Sequence, residues 1–151
     1  VSVYKKLSSS FFDYVMCRLR AKNGADVIDM NDIIKHIYED KECKIIGLIA
    51  DQNPVVNSST NWTYFFNKNV PVIDGPEKIA RKMNFPILFC NMSKIKDGYY
   101  AISFEVIDEN PKTSNPGDIT NKFFKRLEEK IKEEPNNYLW SHNRWKHTKK
   151  I

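Results

Sequence analysis

The 151-residue sequence predicts an α/β fold, with a mixed, mostly parallel sheet flanked by helices. Three observations predict it. Two almost continuously apolar runs, KIIGLIA at residues 44–50 and PILFCNM at 86–92, read as strands buried on both faces, as in a parallel sheet covered by helices. Segments with apolar residues at helical spacing lie around them. The order helix, strand, helix, strand, loop, strand, helix, strand, strand, helix is that of an α/β chain. No internal repeat or linker interrupts it, so residues 1–151 are expected to form a single domain.

Each element has its local reason. Residues 10–22 place Phe11, Phe12, Val15, Met16 and Leu19 at helical spacing, with serines to cap the start and Gly24 to end it. Val27 and Ile28 form a short strand. Asn31 or Asp32 caps a helix that runs to about Tyr38 and turns Ile33, Ile34 and Ile37 inward. The strand at 44–50 ends in a polar loop, DQNPVVNSSTN, and residues 63–66 are aromatic and β-prone. Asp74-Gly-Pro-Glu77 starts a helix, with Asp as cap, Pro in the first turn and Glu as the capping-box partner. After the strand at 86–92, Lys96-Asp97-Gly98 reads as a hairpin turn into a strand at 99–107. A Pro/Asn loop spans 109–117. Ile119, Phe123, Leu127 and Ile131 then stripe a long helix that Pro135 stops.

Composition narrows the function classes. Hydrophobic residues at 41% and charged residues at 28% describe a chain with a core. No apolar run reaches the roughly 18 residues of a membrane-spanning helix. Cys17, Cys43 and Cys90 are too few and too scattered for a disulfide framework or a zinc site. No metal site is expected at His36, His142 or His147, which lack ligand spacing to Cys or acid. The net charge of +5 is concentrated at the end: no acid follows Glu134, while Arg144, Lys146, Lys149 and Lys150 do. Such an end suits either solubility or an anionic partner. A nucleic-acid partner is not expected, because the basic residues are not interleaved along one helix and no binding motif occurs.

Asp51 and Gln52 follow the first apolar strand directly, the position where open α/β sheets place their ligands. A carboxylate there can orient a base, bind a hydroxyl or pair with a cation; it can equally cap the loop. Arg18 and Arg20 can grip a phosphate in a fork. Their simpler role is to complement the helix dipole from its last turn. Arg144 reads as a phosphate ligand or as part of a solvated basic tail. No glycine-rich phosphate loop and no nucleophile with a matched base is visible.

Four segments in order, CRLRAKNG (17–24), GLIADQNP (47–54), FFNKNVPVIDGPEKIARKMNFPILF (65–89) and EEPNNYLWSHNRWK (133–146), resemble the bacterial lipid A biosynthesis acyltransferases. These belong to the wider lysophospholipid acyltransferase superfamily. The last segment is the most specific, since its aromatic and basic residues stand in fixed register. Ile73-Asp74 and Asn143 depart from the family's more frequent residues.

The resemblance implies a partial αβα acyltransferase sandwich at the cytoplasmic face of the bacterial inner membrane. It implies transfer of a fatty acyl chain from acyl carrier protein, or acyl-CoA, to a hydroxyl of a phosphorylated glycolipid, the lipid A precursor. No metal or organic cofactor is implied. Asp51 becomes the carboxylate that supports the catalytic site, and Arg18, Arg20, Gln52, His142 and Arg144 become substrate contacts, with Arg20 the favoured phosphate ligand. Trp140 and Trp145 beside the basic tail suit an anionic membrane surface.

The family's His-x4-Asp/Glu motif, general base and orienting acid, is absent: His36 and Asp40 are separated by three residues. The family places that motif upstream of the segment near Val3 and Tyr4. The chain therefore reads as the C-terminal part of an acyltransferase, inactive by itself. The alternatives are an acyltransferase for another lipid acceptor and a non-enzymatic module that binds an anionic ligand.

Overall fold

The described residues of the computed structural model, 1–39 and 45–149, divide into two units, Val1–Ile49 and Ala50–Ile151. Asp40, Cys43, Lys44 and Lys150, all named above, lie outside the described residues.

The first unit is built as β1 (Ser2–Tyr4), α1 (Ser10–Ala21), β2 (Val27–Asp29) and α2 (Ile33–Glu39). β1 and β2 pair in parallel, from Ser2 opposite Val27 to Tyr4 opposite Asp29, with α1 as the crossover between them. On the other side of β1, Ser2 makes a single parallel bridge to Gly47, backed by hydrogen bonds from Gly47 N–H to Val1 O (2.8 Å) and from Val3 N–H to Gly47 O (3.2 Å). The expected strand at 44–50 is thus reduced, in its described part, to one bridge. Ile46 and Leu48 are half-buried while Ile45 is 73% and Ile49 59% exposed, so only one face is covered.

α1 ends where predicted, at Gly24 in the left-handed region (φ 81°), which lets the chain turn back without a Cβ clash. Its rotation differs from the prediction. Phe11, Phe12 and Leu19 face solvent, and the half-covered residues are Asp13, Val15, Met16, Cys17 and Arg20. On that side the Tyr4 ring lies under the Arg20 guanidinium at 5.5 Å, and its phenol is pushed up to about 12, chiefly by a hydrogen bond with Cys17. The serine cap is replaced as well. Ser9 accepts the Asp13 N–H through its backbone carbonyl (2.9 Å), and the Asp13 carboxylate accepts the Leu7 N–H (2.9 Å). α2 starts from Asp32, whose carbonyl accepts the His36 N–H (2.9 Å), and buries Ile33.

The second unit carries β3 (Trp62–Phe65), β4 (Lys68–Pro71), α3 (Gly75–Met83), β5 (Ile87–Lys96), β6 (Tyr99–Asp108) and α4 (Asp118–Glu133). β3 and β4 form one antiparallel hairpin, and β5 and β6 another, turning at Gly98 (φ 78°). The α/β class holds. The mostly parallel sheet does not: of the three described strand pairs only β1–β2 is parallel, because the turns after β3 and β5 span only two residues, which can join only antiparallel strands. β5 is also not buried on both faces: Phe89 is covered, whereas Leu88, Cys90 and Met92 are exposed.

The core of this unit is Phe65, Val70, Val72, Phe124 and Ile131, with Phe66, Phe123, Leu127, Tyr138 and Trp145 packed around it. β3 alternates as a half-buried strand should, Thr63 and Phe65 inward and Tyr64 outward. Ion pairs and hydrogen bonds tie α4 to the β5–β6 hairpin. Arg126 grips Glu105 of β6 through two nitrogens (2.6 and 2.8 Å), and Lys130 bonds Glu134 (2.6 Å) and Ser93 (2.8 Å). The Arg126 hydrogen bond holds Glu105 below the usual carboxylate range, Lys130 and Ser93 do the same for Glu134, Lys132 and the Phe66 N–H for Glu128, and Ser114 and Lys122 for Asp108. Each folded carboxylate therefore titrates below its unfolded counterpart. The stability they contribute is present at neutral pH and is lost as pH falls below about 4.5 and through the lower folded values. The expected result is a urea midpoint that declines over that range; a midpoint unchanged down to about pH 3 would contradict it.

Candidate active-site loop and its frame

Asp51, Gln52, Asn53 and Pro54 have no regular backbone structure, so side-chain contacts must hold them. Asp51 and Asn53 are half-buried and Gln52 is exposed. Asn53 uses both ends of its amide. Its Oδ1 accepts from Arg144 Nη1 (2.8 Å), and its Nδ2 donates to the Asn143 carbonyl (2.8 Å). Among the described residues no donor reaches the Asp51 carboxylate, which leaves the loop-capping role without its partner.

Arg144 is only 1% exposed and is among the largest fully buried side chains. Its Nη2 donates to the Pro71 carbonyl at the end of β4 (2.9 Å), and its guanidinium lies 5.2 Å from the Phe124 ring and 5.8 Å from the Phe65 ring. Nε has no partner. Burial pulls its pKa below the ordinary arginine value, while Tyr138 and Asp51 act in the opposite sense. Tyr138 shows the reciprocal effects: burial and then the Asp51 charge push its phenol up, and Arg144 offsets part of that. Asp51, Tyr138 and Arg144 thus share one local field around the loop.

This placement corrects the reading of the tail. Arg144 is not part of a solvated tail: at 1% exposure its guanidinium presents no fork to solvent. The tail is likewise not a loose basic extension. Trp145 stacks on Phe65 (5.7 Å, 11° between planes), Trp140 stacks on Trp145 (6.1 Å), and Lys149 lies over Trp62 (4.4 Å) while its N–H bonds the Asn69 carbonyl. Trp140 remains 51% exposed, with its indole N–H on the Pro135 carbonyl (2.7 Å). His142 is half-buried in the same tail, its N–H on the Leu139 carbonyl (3.1 Å).

Arg18 and Arg20 belong to the other unit, in the last turn of α1, where both complement its dipole. Arg18 is exposed and donates to the Tyr14 hydroxyl (3.0 Å). Arg20 is half-buried over Tyr4. An open groove of about 420 Å³ between β3 and α4, lined by Tyr64, Lys125, Glu129 and Lys132, includes none of these candidates. Among the described residues no three His, Cys, Asp or Glu side chains group as metal ligands.

Two residues beside these candidates were not singled out by the sequence reading. Asn53 stood in the quoted DQNP block and Tyr138 in the tail motif, but neither residue type advertises a role until the fold puts them beside Arg144 and Asp51.

The sequence pattern of the family described as bacterial lipid A biosynthesis acyltransferase matches residues 1–147. The chain belongs to that family, and its function is of the lipid A acyltransferase type. No curated protein matches the chain. The family is membrane-associated in bacteria, and no helix among the described residues is long and apolar enough to cross a membrane.

Proposed function

We propose that this chain is the C-terminal part of an acyltransferase domain that moves a fatty acyl chain from acyl carrier protein, or acyl-CoA, to a hydroxyl of a phosphorylated lipid A precursor. The observation that carries the reading is the family match, which runs across both units from residue 1 to residue 147. The reaction needs a base on the acceptor hydroxyl and a group that orients that base. Asp51 serves as the supporting carboxylate: it is half-buried and accepts no hydrogen bond among the described residues, so it keeps its acceptor capacity for a catalytic partner. Arg20, Arg18, Gln52 and His142 contact the acceptor, the arginines through its phosphates. The work takes place at the cytoplasmic face of the inner membrane. No histidine in the 151 residues has an acid five positions on, so this chain alone is expected to transfer no acyl group.

The test is an acyl-transfer assay with the protein made from its whole reading frame. Acyl carrier protein and acyl-CoA thioesters serve as donors, and a lipid A precursor and a lysophospholipid as acceptors. Transfer to the glycolipid, with kcat reduced about tenfold or more in Asp51→Asn, is the expected result. Transfer only to the lysophospholipid would move the protein to another acceptor class. Wild-type rates in Asp51→Asn would remove Asp51 from the site.

A further inference from the structure

We propose that Arg144 is a positioning residue: it fastens the Asp51 loop to the β3–β4 hairpin through Asn53 and the Pro71 carbonyl, and touches no substrate. The inference rests on the reading of Asp51 as the supporting carboxylate.

A buried guanidinium is a costly way to fill space. Among the described residues it has no carboxylate at ion-pair distance, and its Nε is left without a partner. A leucine or methionine would fill the same volume without that cost. What only arginine supplies is a rigid planar fork whose two nitrogens point at fixed directions. Here one nitrogen takes Asn53 Oδ1 (2.8 Å) and the other the Pro71 carbonyl (2.9 Å). The two acceptors lie on an irregular loop and on the end of a strand, so the fork sets the distance between them. The Phe65 and Phe124 rings hold the fork itself, their faces supplying the cation with partial negative charge. Both rings are almost wholly buried core residues.

Asn53 closes the device. With its oxygen on Arg144 and its nitrogen on the Asn143 carbonyl, its amide cannot rotate without breaking both bonds. Asp51 lies two residues earlier on the same loop. Arg144 and Asp51 act in opposite senses on the Tyr138 phenol, so the fork and the loop meet at one tyrosine. A substrate-binding arginine needs an exposed fork; a clamp needs a covered one, and the exposure is 1%.

The experiment uses Arg144→Lys, Arg144→Met and Asn53→Ala. Asn53 is half-buried at the surface, so Asn53→Ala unfastens the loop while the core cation stays in place. In the protein from the whole reading frame, kcat is expected to fall about tenfold or more in Arg144→Lys and Asn53→Ala, with the glycolipid KM within about twofold. A raised KM at unchanged kcat in Arg144→Lys would show that the arginine touches substrate and would overturn the proposal.

A second readout needs no activity. In the 151-residue chain, carbon-13 NMR of labelled tyrosine follows Tyr138. Its ionisation is expected to move further up in Arg144→Met and down in Asp51→Asn, and amide exchange at 51–53 is expected to rise about tenfold or more in Asn53→Ala. Unchanged exchange at 51–53 in Asn53→Ala sinks the clamp. Should Asp51→Asn keep full activity while exchange at 51–53 still rises, the clamp survives as a structural device, and it is the catalytic reading of Asp51 that has failed.

Discussion

Phe65→Ala is expected to destabilise the second unit by about 4 kcal/mol, near the upper end of what a single core truncation costs. Phe65 is 0% exposed and sits where the elements of that unit converge. Its ring lies 5.0 Å from Phe66, 5.5 Å from Phe124 and 5.7 Å from Trp145, so one truncation removes three aromatic contacts as well as the transfer free energy of the ring. It also uncovers one face of the Arg144 guanidinium, which then lies buried against a void. The control is Tyr64→Ala, one residue earlier on β3 and 62% exposed, where about 0.5 kcal/mol or less is expected. Urea titration of both variants reads the contrast. Equal losses would mean that β3 does not alternate as the structure has it, and a Phe65→Ala loss below about 1.5 kcal/mol would mean that the aromatic cluster is not the core.

The same residue shows what the sequence makes legible. Residues 63–66 read as β-prone from residue type alone, and the long stripe Ile119, Phe123, Leu127, Ile131 found α4 because a four-residue period over 13 positions admits one regular structure. Hairpin chemistry at Asp97-Gly98 located β5 and β6 for the same kind of reason: an Asp-Gly pair between two β-prone runs suits a two-residue turn, and Gly98 takes φ 78° there. What failed was everything that depends on which surface covers a segment. KIIGLIA and PILFCNM are apolar on both sides, and periodicity carries no information about how many neighbours a strand finds. The rotation of α1 departs from its apolar stripe: Phe11, Phe12 and Leu19 are exposed, while Arg20 lies half-buried over the Tyr4 ring. At the candidate site the motif singles out Asp51 and Arg144 but is silent on their exposure, half-buried for the one and 1% for the other. Exposure separates a ligand from a clamp, and exposure is a property of the packed chain.

Asp74-Gly-Pro-Glu77 carries this lesson into an energetic prediction. The sequence reads Glu77 as a capping-box partner that serves its own helix. In the structure the Asp74 side chain caps nothing; it is engaged by Asn61 Nδ2 and by Lys78 (2.7 Å). Glu77 instead turns inward, 5% exposed, and reaches the start of α4. Its Oε1 accepts the Gly117 N–H (2.5 Å), and its Oε2 accepts both the N–H (2.9 Å) and the hydroxyl of Thr120. The first turn of a helix leaves several N–H groups without intrahelical partners and carries the positive end of the dipole. α4 has Gly117 as its N-cap, with no side chain to meet that need, so a carboxylate from α3 meets it across 40 residues of sequence.

Glu77→Ala removes the acceptor from two backbone N–H groups and one hydroxyl at once, and water reaches a buried site poorly. A loss of about 3 kcal/mol is expected, with Glu77→Gln losing roughly half of that because an amide oxygen still accepts but brings no charge. Amide exchange at Gly117 and Thr120 is expected to accelerate in Glu77→Ala well beyond exchange in the middle of α4, since the helix frays from the end that has lost its partner. A loss under about 1 kcal/mol, or exchange that rises evenly along the helix, would show that solvent or Asp118 satisfies the α4 terminus and that the bridge from α3 is incidental.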